Sequence, residues 1–210
     1  MRLAAKILVS CALVALAACA PVRMREDEAT LRAQAARESQ LEKVVKWTLD
    51  ARLAVSDGRD GGNGDLHWLQ DGARFDLTVH APVTGRTWRL HGEGRDFTLE
   101  GAAVEPLRGA EAEAVLAREL GWEAPVAELA WWVRGLRAPG AKAELVFDAS
   151  GRPAMLRQSG WQIEYRDWFA ERTPALPRKM FATRGKSRVR MFVEDWSIDG
   201  EADAEGRPMP

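Results

Sequence analysis

Cys19 is the side chain whose place in the sequence most directly suggests a chemistry. It follows Leu16-Ala17-Ala18 at the end of an apolar run over residues 7–17, behind a charged start of Met1, Arg2 and Lys6. A basic start, an apolar stretch and small residues before a cut make the layout of a secretory signal. The run is about 11 residues, against roughly 20 for a spanning helix, so it does not read as a transmembrane segment. Cys11 lies inside the part that cleavage discards. No other residues converge on a reaction. There is no G-x-x-x-x-G-K-[ST] phosphate loop and no G-x-S-x-G nucleophile elbow. His67, His80 and His91 alternate with apolar neighbours and show no H-x-x-x-H spacing, so an outward polar face accounts for them better than a metal site. Asp and Glu gather in the N-terminal stretch, the turns and the tail. The sequence therefore predicts no enzyme, no cofactor and no metal site. Arg52, Arg134 and Arg166, single basic residues among apolar stretches, are expected at the surface.

A cysteine set directly at the cut is similar to a bacterial lipobox. That similarity implies cleavage after Ala18, diacylation of the Cys19 sulfur and acylation of the freed amine. The alternative is an ordinary signal peptide in which Cys19 is incidental. Processing leaves residues 19–210, a length suited to one domain of moderate size. Loss of Arg2 and Lys6 takes the formal charge from −1 to −3, which offers no broad electrostatic footprint for nucleic acid. With Cys19 acylated no thiol remains for an internal disulfide, so stability must come from burial. The 46% hydrophobic content is enough for a sizeable core. Nine tryptophans stand against one tyrosine. Trp brings large apolar area with one polar handle, which suits wet-edged pockets and interfaces.

The elements that carry these residues follow from periodicity. Residues 20–40 are charged and alanine-rich, and read as a partly helical tether, turning into a short helix near 41–46. Such a segment of about 20 residues reaches at most ~70 Å, enough to hold a domain clear of a membrane. Leu49, Ala51, Leu53 and Val55 then share one face of a strand. Residues 56–64 read as a long glycine-rich turn. Strands follow at Leu66 and Trp68, at Phe75, Leu77 and Val79, at Trp88 and Leu90, and at Phe97 and Leu99, with Asp71-Gly72 as a hairpin signal. Residues 109–120 and 125–134 have helical spacing, each stopped by a glycine. Strands resume at Leu145 and Phe147, at Met155 and Leu156, from Trp161 to Tyr165, at 180–183, and from Val189 to Trp196. The tail from Gly200 is polar and expected to be disordered. About ten antiparallel strands with two helices inserted midway form a sheet that must curl strongly, and the helices are placed to cover its concave apolar face.

Trp131 and Trp132 are adjacent on the second helix and point about 100° apart, so one faces the sheet while the other faces a neighbour or solvent. Core packing and the lining of an apolar pocket are both open for them. In Ala81-Pro82-Val83-Thr84-Gly85, Pro and Gly set a turn and leave Val83 near its tip with nothing local to bury it.

Taken in order, several stretches resemble the LolB family of outer-membrane lipoprotein receptors. They are Trp47 with Ala51-Arg52-Leu53-Ala54-Val55; Leu66-His67-Trp68-Leu69-Gln70; Ala81 to Gly85; Leu120-Gly121-Trp122 with Pro125-Val126; Leu129 with Trp131-Trp132-Val133-Arg134-Gly135; Gln158 to Tyr165; Leu176-Pro177; and Trp196. The resemblance covers residues 41–198. It implies an α+β, mostly β fold, a single strongly curved antiparallel sheet forming an unclosed β-barrel, with helices covering the mouth of an apolar cavity. The implied organisation is a signal peptide at 1–18, an acylated N-terminus and tether at 19–40, the barrel domain at 41–198 and a tail at 199–210.

The function it implies is receipt of acylated lipoproteins from the related periplasmic carrier LolA and their insertion into the outer membrane, without nucleotide. Ala20 after Cys19 is compatible with that membrane. The implied partners are a LolA-type carrier, acylated lipoproteins and outer-membrane lipid, with the receptor a monomer. Pro82, Val83, Thr84 and Gly85 would form the membrane-insertion loop, where the family usually has a leucine in place of Val83. The candidate acyl-chain face comprises Leu53, Val55, Trp68, Phe75, Leu77, Trp88, Leu90, Leu129, Trp132, Leu145, Phe147, Ile163, Tyr165, Met191 and Val193. The alternative is an outer-membrane-anchored lipoprotein scaffold, with a filled core, that acts in envelope assembly through protein contacts.

Overall fold

The computed structural model describes residues 28–94, 96–120 and 125–198. Cys19 and the tail from residue 199 lie outside them. Alternating apolar residues fold into eleven strands: β1 (Lys46–Ser56), β2 (Gly61–Asp71), β3 (Arg74–Ala81), β4 (Arg86–Glu93), β5 (Asp96–Glu100), β6 (Leu107–Arg108), β7 (Ala143–Phe147), β8 (Pro153–Gln158), β9 (Trp161–Phe169), β10 (Leu176–Arg184) and β11 (Ser187–Ile198). Helix α1 (Glu28–Leu41) precedes them, and α2 (Gly109–Leu120) and α3 (Val126–Trp132) lie between β6 and β7. All eleven strands make one antiparallel sheet in the order β6-β5-β4-β3-β2-β1-β11-β10-β9-β8-β7. The first and last strands in sequence therefore pair at its centre. Its two edges, β6 and β7, are neighbours in sequence, and the segment that joins them carries α2 and α3. The sheet is unclosed, and the helices belong to its seam.

Period two sets which side each residue takes. In β1 Trp47, Leu49, Ala51, Leu53 and Val55 are buried, while Asp50 and Arg52 are exposed. The register places Leu53 against Met191 and Val55 against Val189, so β1 and β11 turn the same apolar face inward. A one-residue slip would carry every one of these side chains to the solvent face. The expected long turn at 56–64 is shorter than the glycines suggest. Asp57 accepts 2.8 Å bonds from the Arg59 and Asp60 amides and closes the turn, after which the chain pairs with β1 from Gly61. Gly64 is required within the strand, because a Cβ there would stand 2.5 Å from the His80 carbonyl oxygen. Strand β6 is two residues long, too short to show any period, and the sequence reading omits it. Helix α3 stops at Trp132, short of the expected Arg134.

The largest difference is at the N-terminus. Residues 28–41, expected to be mostly tether, form helix α1, and Lys46 already begins β1 in place of ending a helix at 41–46. The helix is docked through polar side chains. Arg37 donates to the carbonyls of Ala175 (2.9 Å), Gly135 (2.9 Å) and Arg134, with its guanidinium 5.0 Å from the Trp168 ring centre. Burial lowers Arg37 to about 10, which leaves it protonated at neutral pH. Buried Glu38 accepts from Arg137 Nε at 2.9 Å and from Gln34 Nε2 at 3.0 Å. Burial alone would raise this carboxyl; the bonds from Arg137 and Gln34 outweigh it and hold Glu38 below its ordinary 4.5. A carboxyl lowered on folding stabilises the fold above its unfolded value, and that contribution is lost as pH falls through the folded value. Chemical denaturation from pH 6 downward is therefore expected to show a drop below about pH 4.5 that is shallower in Glu38→Gln, a variant already less stable at neutral pH.

Candidate functional site

The inner face is built from seven strands of the sheet and from α3. Strands β1, β2, β3 and β4 contribute Leu53, Val55, Trp68, Phe75, Leu77, Trp88 and Leu90. Strands β7, β9 and β11 contribute Leu145, Phe147, Ile163, Tyr165, Met191 and Val193, and α3 contributes Leu129 and Trp132. All fifteen belong to one contiguous cluster and none is more than 8% exposed. The same face carries residues the sequence reading did not single out for it, among them Trp47, Trp161 and Trp196. Period two was the available signal for Trp47 and Trp161, whereas Trp196 is out of phase with Val193 and is turned inward by the register shift opposite Asp50 and Ala51. Trp47 packs 5.1 Å from Trp68 and 5.5 Å from Trp196, and Trp132 packs 6.3 Å from Trp161, all with tilted rings. Each such pair adds about 0.5–1.5 kcal/mol beyond its buried area.

Polar groups inside this face mostly have partners. The Trp68 indole donates to Gln70 Oε1 at 2.9 Å and that of Trp196 to the Pro177 carbonyl at 3.1 Å. Gln158 on β8 ties α3 and the chain that follows it to the sheet: it accepts from Trp132 Nε1 (3.0 Å) and the Ala138 amide (2.8 Å), and donates to the carbonyls of Ala138 (2.7 Å) and Ala141 (3.0 Å). The Tyr165 hydroxyl donates to the Trp132 carbonyl at 2.9 Å, and burial pushes this phenol up from its ordinary value. The buried indole N–H groups of Trp88 and Trp161 are the exceptions and have no acceptor among the described residues.

The tryptophan pair divides as its helical spacing requires. Trp132 is buried in the cluster, and Trp131 is half-buried beneath the guanidinium of Arg134, 5.2 Å away. Arg52 and Arg166 are exposed as expected, but Arg134 is buried, only 7% exposed. The reason is a set of carbonyls that only the fold assembles: Arg134 donates to Ala130 (2.9 Å), Leu41 (3.0 Å) and Val44 (3.3 Å), and lies 5.6 Å from the Trp47 ring centre.

At one end of the sheet the β3–β4 connection projects outward. The Thr84 and Gly85 amides both donate to the Ala81 carbonyl, at 3.2 and 2.9 Å, and Gly85 takes φ +68°. That geometry leaves Val83 87% exposed. Behind it the Arg86 guanidinium lies 4.9 Å over the Trp88 ring.

The three histidines are not brought together. His67 pairs with Asp50 at 2.6 Å, His80 with Thr87 at 3.0 Å and His91 with Glu100 at 3.4 Å, each a neighbour on the adjoining strand.

Comparison with known proteins accounts for the same framework. The family model described as outer membrane lipoprotein LolB matches residues 45–196. The outer-membrane lipoprotein LolB of Xanthomonas campestris pv. campestris (strain B100) is 40% identical over 180 residues, 82% of this chain and 81% of that one. That of Xylella fastidiosa (strain 9a5c) is 37% identical over 164 residues, 77% of this chain and 75% of its own. Among solved structures, a LolA superfamily protein of Nitrosomonas europaea superposes with a TM-score of 0.52 at 9% identity, covering 82% of this chain and 96% of that one, a likeness of fold alone. Matched from the start of β1 almost to the end of β11, the chain belongs to the outer membrane lipoprotein LolB family.

Proposed function

We propose that the chain accepts acylated lipoproteins from a LolA-type periplasmic carrier, holds their acyl chains against the inner face of the sheet, and releases them into the outer membrane. Its family makes it a lipoprotein-sorting receptor of the outer membrane and not an enzyme. The observation that carries the finer reading is the pairing of an unclosed apolar sheet with an exposed Val83 beside it. Acyl chains left in water cost ~0.8 kcal/mol per CH₂, so a receptor must offer a surface of comparable quality. The fifteen inner residues supply one. These residues pack against one another and against α3, so the chains enter as α3 yields. The free donors of Trp88 and Trp161 fit the ester and amide carbonyls of an acylated cysteine.

Transfer runs downhill. Each tenfold preference of receptor over carrier needs only ~1.4 kcal/mol, and the bilayer is the deeper sink. In this reading Cys19 carries the acyl anchor, the residues before α1 form the tether, the domain faces the periplasm, and the receptor works as a monomer.

Incubation of a fluorescent lipoprotein on its carrier with the chain from Ala20, which retains every described element, tests the proposal. One-way transfer without nucleotide is the expected result. Absence of both transfer and acyl-probe uptake overturns it and leaves the scaffold reading, which the closely packed inner face would then support.

A further inference from the structure

Outside the inner face, two rows of outward side chains cross the sheet next to the β3–β4 loop. The register aligns Asn63, Ala54, Arg190 and Phe181 in one row, and Asp65, Arg52, Phe192 and Lys179 in the next. Asn63 and Ala54 are short, so the surface sinks between Pro82 and Arg190 into a groove of about 320 Å³. Its lining carries three cations, Arg52, Lys179 and Arg190, against one carboxylate, Asp65. Arg52 is already paired with Glu194 at 2.6 Å. Lys179 and Arg190 have no acidic partner among the described residues; both are drawn to the Phe181 ring, at 5.8 and 5.5 Å, where Arg166, already paired with Glu164 at 2.8 Å, also sits at 4.0 Å. Like charges gathered on one ring repel each other, and an anion between them would relieve the repulsion. Phe192, 40% exposed, adds apolar surface beside them.

We infer that this groove binds the phosphate of an anionic phospholipid headgroup while the loop is in the membrane, a reading that rests on Val83 being the membrane contact. Pro82 lines the groove and Val83 is the next residue. A Val83 side chain in the apolar layer therefore puts the groove's near end one residue away, at the depth of the phosphates. Lys179 and Arg190 supply the charge, and Phe192 and Pro82 meet the glycerol and first methylenes. The groove holds the receptor's outer sheet face against the bilayer during release.

The test is co-sedimentation of the chain from Ala20 with phosphatidylcholine vesicles and with vesicles that also contain phosphatidylglycerol. Juxtamembrane cations strengthen binding to anionic membranes by roughly fivefold each. Lys179→Gln/Arg190→Gln is therefore expected to bind the anionic vesicles roughly 25-fold more weakly, the neutral ones unchanged, and high salt is expected to erase the difference. Both side chains are exposed, and an unchanged melting temperature confirms folding. Val83→Asp is expected to weaken binding to both compositions alike. Anionic binding by the double variant within about twofold of the unaltered chain overturns the groove, as does an unaltered chain with no preference for anionic vesicles; the cations would then be left to an acidic protein surface. A Val83→Asp variant that binds normally, together with a weakened double variant, overturns the loop reading and keeps the groove.

Discussion

Val83→Asp is expected to accept lipoprotein from the carrier at the unaltered rate and to lose delivery into vesicles by on the order of 100-fold. The two steps separate because Val83 is 87% exposed and belongs to no part of the apolar cluster. Its replacement leaves the inner face as it was. The loop itself is set by the Ala81 carbonyl and by Gly85 in the left-handed region, neither of which involves the Val83 side chain. In a bilayer the exchange is costly: Val gains a few tenths of a kcal/mol on insertion whereas Asp loses about 3, and ~1.4 kcal/mol is a factor of ten. Val83→Leu shifts the balance the other way, by about one methylene and ~0.8 kcal/mol, a gain of roughly fourfold. The measurement is loss of fluorescence from receptor to vesicle, followed beside loss from carrier to receptor. Delivery by Val83→Asp at the unaltered rate would remove the loop from the mechanism. Failure of acceptance as well would mean that the substitution acts on the inner face.

Arg134→Met is expected to lower stability by about 3–5 kcal/mol, although Met fills a similar volume. Arg134 holds carbonyls from three places in the chain, Ala130 near the end of α3, Leu41 at the end of α1, and Val44 before β1. Its guanidinium also lies 5.2 Å from the Trp131 ring centre and 5.6 Å from that of Trp47. Hydrogen bonds to a charged group contribute about 1.5–3 kcal/mol each, and a desolvated cation–π contact up to about 2. Burial lowers Arg134 to about 10, with Glu42 acting against that shift, so it carries its charge throughout the neutral range. Urea midpoints report the loss directly, and the thermal midpoint falls by roughly 10 °C at 2–4 °C per kcal/mol. Arg134→Lys restores less than half of it, because three donors on one nitrogen cannot span the same carbonyls or stack on two rings. A Met variant as stable as the parent would show that α1 and α3 hold to the sheet without this residue.

The inward-facing residues were legible because the strand pleat is local. From Leu49 to Val55 the backbone alone puts alternate side chains on opposite faces, and the apolar ones must go inside whichever strand lies beside them. Val83 was legible for a similar reason, since Pro82 and Gly85 make a turn wherever it sits. The resemblance to the family rests on such local stretches taken in order. What tertiary structure decided is which distant groups meet. Arg134 reads as a surface residue until Leu41 and Val44 bring it their carbonyls. Arg37 and Glu38 read as tether until Ala175, Gly135 and Arg137 surround them, so α1 docks without the apolar stripe by which a helix is normally recognised. Pairing of β1 with β11 places the seam at β6 and β7, and it also sets Arg190 in one row with Ala54 and Asn63, beside Pro82. A buried polar group is stable only beside its partner, and that partner is chosen by the register and by the course of the whole chain, so no window of sequence contains it.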